Sequence, residues 1–129
     1  MERPVERRRY IRVLVDVPVS FTLPDGSIGV GELVNLSLGG LSFVAQEKLP
    51  AGSGLTFSFS LGREMTFELK GRVRHAIGQG PWRSYGVKFS LPDVEELKQH
   101  VRLNEFIILE RRRQDQWTAA RRRRRFPKP

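Results

Sequence analysis

Residues 13–23 read VLVDVPVSFTL, with Val13, Val15, Val17, Val19, Phe21 and Leu23 at every second position. A strand points successive side chains to opposite faces, so this spacing sends one row into a core and leaves the mostly polar row outside. Pro18 interrupts the outer row and has no N–H to donate, which predicts an edge or a bulge in this strand. The next four residues after Leu23, PDGS at 24–27, supply a turn. Working outward, IGVGELVN (28–35) and LSFVA (41–45) read as two short strands separated by LSLGG. Leu55, Phe57, Phe59 and Leu61 alternate next, and after GRE the alternation resumes at Met65, Phe67, Leu69, Gly71 and Val73. Tyr85, Val87, Phe89 and Leu91 form a last strand beyond the loop GQGPW. Six strands with no helix between them predict a mainly β fold with antiparallel pairing in a small barrel or sandwich. Closure into a barrel would remove the exposed edges.

After the strands the period changes. Val94, Leu97, Val101 and Ile108 fall near one helical face, and Ser90–Asp93 resembles a capping box with Pro92 in the first turn. One amphipathic helix is expected from about 92 to 111, its apolar side packed on the barrel. The remainder, RRRQDQWTAARRRRRFPKP, is a biased tail, helical at most up to its arginine run and stopped by Pro127. This divides the chain into an arginine-rich arm (1–12), a barrel with its helix (13–111) and a basic tail (112–129).

Composition narrows the chemistry. A length of 129 residues suits one core with short extensions. The absence of cysteine excludes disulfides, thiolate zinc sites and cysteine nucleophiles. No apolar run approaches the roughly 20 residues of a membrane helix, and MERPVERRRY has no apolar core of a secretory signal. A cytoplasmic protein is the resulting expectation. The net charge of +9 is uneven: +3 over residues 1–12, −2 over 13–110 and +8 over 111–129. Charge confined to two arms points to a local ligand or partner rather than to a uniformly basic face.

Catalytic patterns are lacking. GSIGVG has no lysine–serine ending, and His75 and His100 do not have a metal-ligand spacing. Ser37 has no neighbouring histidine, and Glu95 and Glu96 suit a helix N-terminus. A non-enzyme without metal or cofactor is expected.

Two motifs remain. Arg8 and Arg12 stand in an R-x-x-x-R spacing with Arg7 directly before them, and Asn35, Ser37 and Gly40 stand in N-x-S-x-x-G. Residues 13–34 separate the two, the length of one strand, one turn and one strand, so the arm can return beside the loop at one end of the barrel. Each has a plain alternative. The arm could be a solvated terminus, and NLSLGG could be a turn in which Asn35 and Ser37 bond the local backbone and the glycines supply positive φ.

Taken together, RRYIR (8–12) and NLSLGG (35–40) resemble the signature of the PilZ domain family, the bacterial receptor module for cyclic di-GMP. GRVRHA (71–76) and YGVKFSL (85–91) are similar to its later strands. The resemblance covers about residues 6–108. It implies a six-stranded antiparallel β-barrel with a C-terminal helix, and a ligand held by Arg7, Arg8, Arg12, Asn35, Ser37 and Gly40. Outside the signature, Arg9 reads as a solvated residue or a secondary phosphate contact, Gly39 as a secondary contact beside the loop, and His75 as a structural or exposed histidine that could reach the ligand from the barrel rim.

The residue chemistry suits such a ligand. A guanidinium can pair bidentately with phosphate or with guanine O6 and N7, and can stack on a purine. Asn35, where many members carry Asp, offers one acceptor for guanine N–H, and Ser37 can donate or accept. An arginine at the position of Arg7 implies an intercalated ligand pair. Ligand is expected to order the arm and so switch binding of a protein partner in motility or biofilm regulation. Two rival readings use the basic tail: nucleic-acid binding, in which eight arginines over 111–129 neutralise phosphates, and a nucleotide-independent adaptor. Trp82 suits an interaction surface and a loop anchor equally.

Overall fold

Alternation in the sequence becomes six strands: β1 (Arg12–Thr22), β2 (Ile28–Ser37), β3 (Gly40–Ala45), β4 (Gly54–Leu61), β5 (Met65–Ile77) and β6 (Arg83–Phe89), followed by helix α1 (Val94–Arg125). The structure, a computed structural model, describes residues 11–63, 65–78 and 80–125, with 122–125 described by backbone alone. Arg7, Arg8 and Arg9 lie outside the described residues.

All neighbouring strands pair antiparallel, closing a barrel in the order β1-β2-β3-β6-β5-β4. Val13, Val19 and Phe21 are buried and Val15 and Val17 pack against the same core, as the period of two requires. Phe43 lies at the centre, its ring 5.3 Å from each of Phe21, Phe57 and Tyr85. Burying side chains of this size contributes on the order of 2–3 kcal/mol each. Tyr85 keeps its hydroxyl satisfied by donating to the Glu47 carbonyl and accepting from the Leu49 amide, which ties the β3–β4 connection to the wall.

Pro18 stands at an open edge, one of the two expected features; it pairs with Glu32 in regular register, and the bulge lies nearer the start of the strand. The β1–β2 register shifts between Leu14 and Val17, and β1 pairs with β4 only through Val19–Thr22. Residues 12–18 therefore have one edge without a strand beside it, and α1 takes that place. The Gln114 carboxamide donates from Nε2 to the Leu14 carbonyl at 2.9 Å and accepts at Oε1 from the Leu14 amide at 3.3 Å. Arg111 donates from Nη1 to the Arg12 carbonyl at 2.9 Å. One side-chain amide thus supplies the donor and acceptor that a neighbouring strand would have offered.

The helix departs from expectation in three ways. Its N-terminal box uses Asp93 and Glu96 instead of Ser90 and Asp93: the Glu96 amide donates to Asp93 Oδ1 at 2.8 Å, and the Asp93 amide donates to Glu96 Oε1 at 3.5 Å. That hydrogen bond from the Glu96 amide holds the Asp93 carboxyl below its usual range. Second, α1 runs past Arg111 to Arg125. No Gly or Pro interrupts residues 94–125, Ala and Arg are strong helix formers, and Arg111–Asp115 and Arg113–Glu110 pair along the surface. Cations also suit the negative end of the helix dipole.

Third, the face expected to pack on the barrel is the exposed one. Val94, Leu97, Val101 and Ile108 are 78%, 52%, 49% and 44% exposed, whereas Leu103 and Ile107 are fully buried, with His100 beside them. The sequence carries two apolar stripes of helical spacing, and the barrel covers the second. No helix among the described residues is long and apolar enough to cross a membrane.

Burial pushes the His100 imidazole below its ordinary range, against an opposing pull from Glu96. The unfolded chain takes up this proton near pH 6.5, while the folded chain resists it, so stability falls as pH drops through that value until the folded imidazole also protonates. Thermal melts at pH 7.5 and 5.5 should show this loss in the wild type and a smaller loss in His100→Leu. Equal losses in both would place the acid sensitivity elsewhere.

Candidate functional site

Strand register assembles the site on the outer face of the barrel, because directly opposed residues of an antiparallel ladder share a face. Arg12 stands opposite Ser37 and Leu14 opposite Asn35. Asn35 pairs with Ser42, Ser42 with Gly86 and Gly86 with His75, so one row crosses β2, β3, β6 and β5. A second row on β3, β6 and β5 runs Gly40, Lys88, Arg72.

Over these rows lies a cleft of about 790 Å³. It brings together Arg12, Asn35, Ser37, Gly39, Gly40 and His75 from the sequence reading, and adds Ser42, Arg74 and Lys88. Phe89 to Pro92 and His100 border one end. A smaller hollow of about 290 Å³ lies between Met65 and α1, where Glu105 and Glu110 offset Arg102 and Arg113. None of the motif residues lines it.

The loop itself is built by Ser37. Its Oγ accepts from the Gly40 amide at 3.1 Å and the Gly39 amide at 3.3 Å, and donates to the Gly40 carbonyl at 3.3 Å. The side chain is buried, so the local alternative for this residue is realised: it holds the turn closed. The glycines act differently from that alternative. Positive φ among the described residues occurs at Gly26, Gly52, Gly62, Gly78 and Gly80, and not at Gly39 or Gly40. A Cβ at Gly40 would collide with the Val87 carbonyl oxygen, so glycine is needed there for the close approach of β3 to β6. Gly86 serves a related end: the His75 ring lies where a Cβ would sit, flat against β6.

A register shift between Val73 and His75 explains how β5 contributes. Strict alternation would send one of Arg74 and His75 inward, but with the extra residue both are exposed. Arg74 and Lys88 were not singled out from sequence, since only the β3–β6–β5 order places them beside NLSLGG. Their outward parity on strands was the available signal.

Electrostatically the cleft is one-sided. Arg12, Arg74 and Lys88 line it, no Asp or Glu does among the described residues, and no ion pair among the described residues engages these three cations. This stands out in a body whose residues 13–110 carry net −2. Three cations, an exposed imidazole and an amide suit an anion that also presents hydrogen-bonding heterocycle edges. His100 reaches the same cleft, yet its Nε2 is buried without a partner among the described residues.

A family model for the PilZ domain matches residues 6–106, from the arginine arm to the middle of α1. Solved structures share the fold. The inhibitor of motility MotI/DgrA from Bacillus subtilis is 20% identical with a TM-score of 0.64, over 85% of this chain and 52% of that one. The PilZ domain of YcgR from Escherichia coli with c-di-GMP is 19% identical with a TM-score of 0.63, over 86% and 98%. YcgR from Escherichia coli in complex with c-di-GMP is 21% identical with a TM-score of 0.69, over 90% and 51%. The chain thus spans about half the length of the motility inhibitor and of the larger YcgR chain. A search of curated proteins finds no match. The six-stranded barrel, its C-terminal helix and a family match over most of the sequence lead to one conclusion: the chain belongs to the PilZ domain family.

Proposed function

We propose that this chain is a cyclic di-GMP receptor, and that ligand bound between the arginine arm and the NLSLGG loop switches what the arm and helix present to a protein partner. The observation that carries this reading is the pairing of Arg12 with Ser37 at a cation-lined cleft that no described carboxylate enters. Family membership and the c-di-GMP named for the two YcgR structures support it.

Each residue has a chemical task. Arg12 starts at the cleft, and Arg8 lies four residues upstream, a reach of up to about 14 Å from Arg12. Arg7 and Arg8 can therefore cross over ligand from above while Arg12, Arg74 and Lys88 meet it from the sheet. Their guanidinium planes take phosphate oxygens or guanine Hoogsteen edges. Asn35 accepts a guanine N–H, Ser37 keeps the loop in shape, and Gly40 lets β3 close on β6. His75 and Arg9 are secondary contacts, and Gly39 offers its backbone beside the loop. An intercalated pair carries four phosphate charges, which Arg7, Arg8, Arg12, Arg74 and Lys88 together can neutralise.

The route to a partner runs through β1. The Arg12 carbonyl holds Arg111, and both backbone groups of Leu14 hold Gln114. Ligand that draws Arg12 and the arm onto the cleft thus acts on the residues that seat the far half of α1. A second reading, nucleic-acid binding, is favoured by one observation: the arginines of 121–125 continue a helix, as a basic recognition element would.

A calorimetric titration with cyclic di-GMP separates these claims. Two ligands per wild-type chain are expected, one for Arg7→Ala, and affinity at least tenfold weaker for Arg12→Ala and for the Arg74→Ala/Lys88→Ala pair. The cationic variants should melt like the wild type, while Ser37→Ala should lose both affinity and roughly 1–2 kcal/mol of stability. Two equivalents bound by Arg7→Ala would contradict the pair assignment, and no heat from the wild type would contradict the receptor reading.

Coupling has its own readout in hydrogen exchange. Ligand should change the exchange of residues 108–120 in the wild type, and Gln114→Ala should bind ligand within about twofold yet lose that change. A helix response unaffected by Gln114→Ala would rule out this route.

A further inference from the structure

The helix buries one apolar stripe and leaves another open. Val94, Leu97, Val101 and Ile108 occupy the spacing of a heptad seam, with Asn104 at the remaining position, and all four apolar members are exposed. The barrel is packed on the other stripe, through His100, Leu103 and Ile107. Nothing in MERPVERRRY or FPKP, the terminal segments outside the described residues, has a matching apolar repeat.

We infer that this seam is an interface between two copies of the chain, with their α1 helices antiparallel. Charge complementarity sets the orientation. Lys98 and Glu105 are exposed, one heptad apart on the same flank of the seam, and neither is engaged in an ion pair among the described residues. A two-fold axis between Val101 and Arg102 places Lys98 beside the second copy's Glu105, and Glu105 beside its Lys98. The same axis brings Val94 to within one residue's rise of the second copy's Ile108, and Val101 equally close to its own mate. The contact is isologous, as a closed dimer requires.

A parallel pair fails on charge. It would lay the two five-arginine runs, residues 121–125, side by side. The antiparallel pair puts them at opposite ends, about 60 Å apart at 1.5 Å rise per residue, far beyond the roughly 8 Å Debye length at physiological salt. The apolar seam is only two heptads long and includes Asn104, so the dimer is reversible and concentration-dependent.

Sedimentation velocity on the full chain without added nucleotide tests the association. Dimer should grow with concentration in the wild type and weaken at least tenfold in Val101→Glu, a change at an exposed position that should leave the melting temperature unaltered. Lys98→Glu alone should weaken the dimer, and Lys98→Glu with Glu105→Lys should restore it. Because the chain has no cysteine, orientation can be read from oxidative cross-linking. Val101→Cys should cross-link to itself, and Val94→Cys mixed with Ile108→Cys should cross-link more than either variant alone. A chain monomeric up to about 1 mM, or Ile108→Cys cross-linking to itself as readily as in the mixture, would overturn the proposal.

Discussion

The register between β1 and β2 is the constraint on which the candidate site depends. From Thr22 opposite Ile28 to Val17 opposite Leu33 the ladder is regular, and one extra residue between Val17 and Leu14 then moves Arg12 from Leu38 to Ser37. A slip of one residue elsewhere would turn Val13, Val19 and Phe21 out of the core. Burial of those side chains therefore enforces the register, and the register delivers the arginine to the loop. The core and the site share one cause.

The same bulged segment explains the helix. Because β1 meets β4 only from Val19 onward, the backbone of residues 12–18 needs partners on its open side. Gln114 and Arg111 supply them at Leu14 and Arg12, while Leu103 and Ile107 seal the core below. The cost of an unpaired edge is met by side chains, which can release more readily than a strand ladder. A device that closes the barrel is thereby placed on Arg12, a residue of the cleft, and on Leu14 two residues further on. The opposite stripe of α1 stays uncovered, and its charges complement those of a second copy.

Much of this was legible in the sequence because it is local. The period of two in 13–23, 55–61 and 65–73 gave the strands, Pro18 marked the open edge of β1, and the twenty-two residues between the motifs matched a hairpin that returns Arg12 to Ser37. Nonlocal features were hidden. Arg74 and Lys88 join the cleft only through the β3–β6–β5 order, and a one-residue bulge decides that Arg74 and His75 both face out. The helix face is not legible locally, because residues 94–108 carry two stripes of the same spacing and only the barrel chooses between them. The helix continues past 111 to Arg125, because a charge run that reads as a tail consists of arginines that favour a helix C-terminus. Ser37 makes three local hydrogen bonds that build the loop, and it lines the cleft as well.

The central claim is that cyclic di-GMP seats on this one face of the barrel. An NMR titration of the isotope-labelled chain reads that directly. Backbone amides of Arg12, Asn35, Gly39, Gly40, Arg74, Gly86 and Lys88 are expected to shift together and saturate, while those of β4, from Gly54 to Leu61 on the far side of the sheet order, stay in place. Shifts confined to residues 111–125, or no shifts at all, would contradict it.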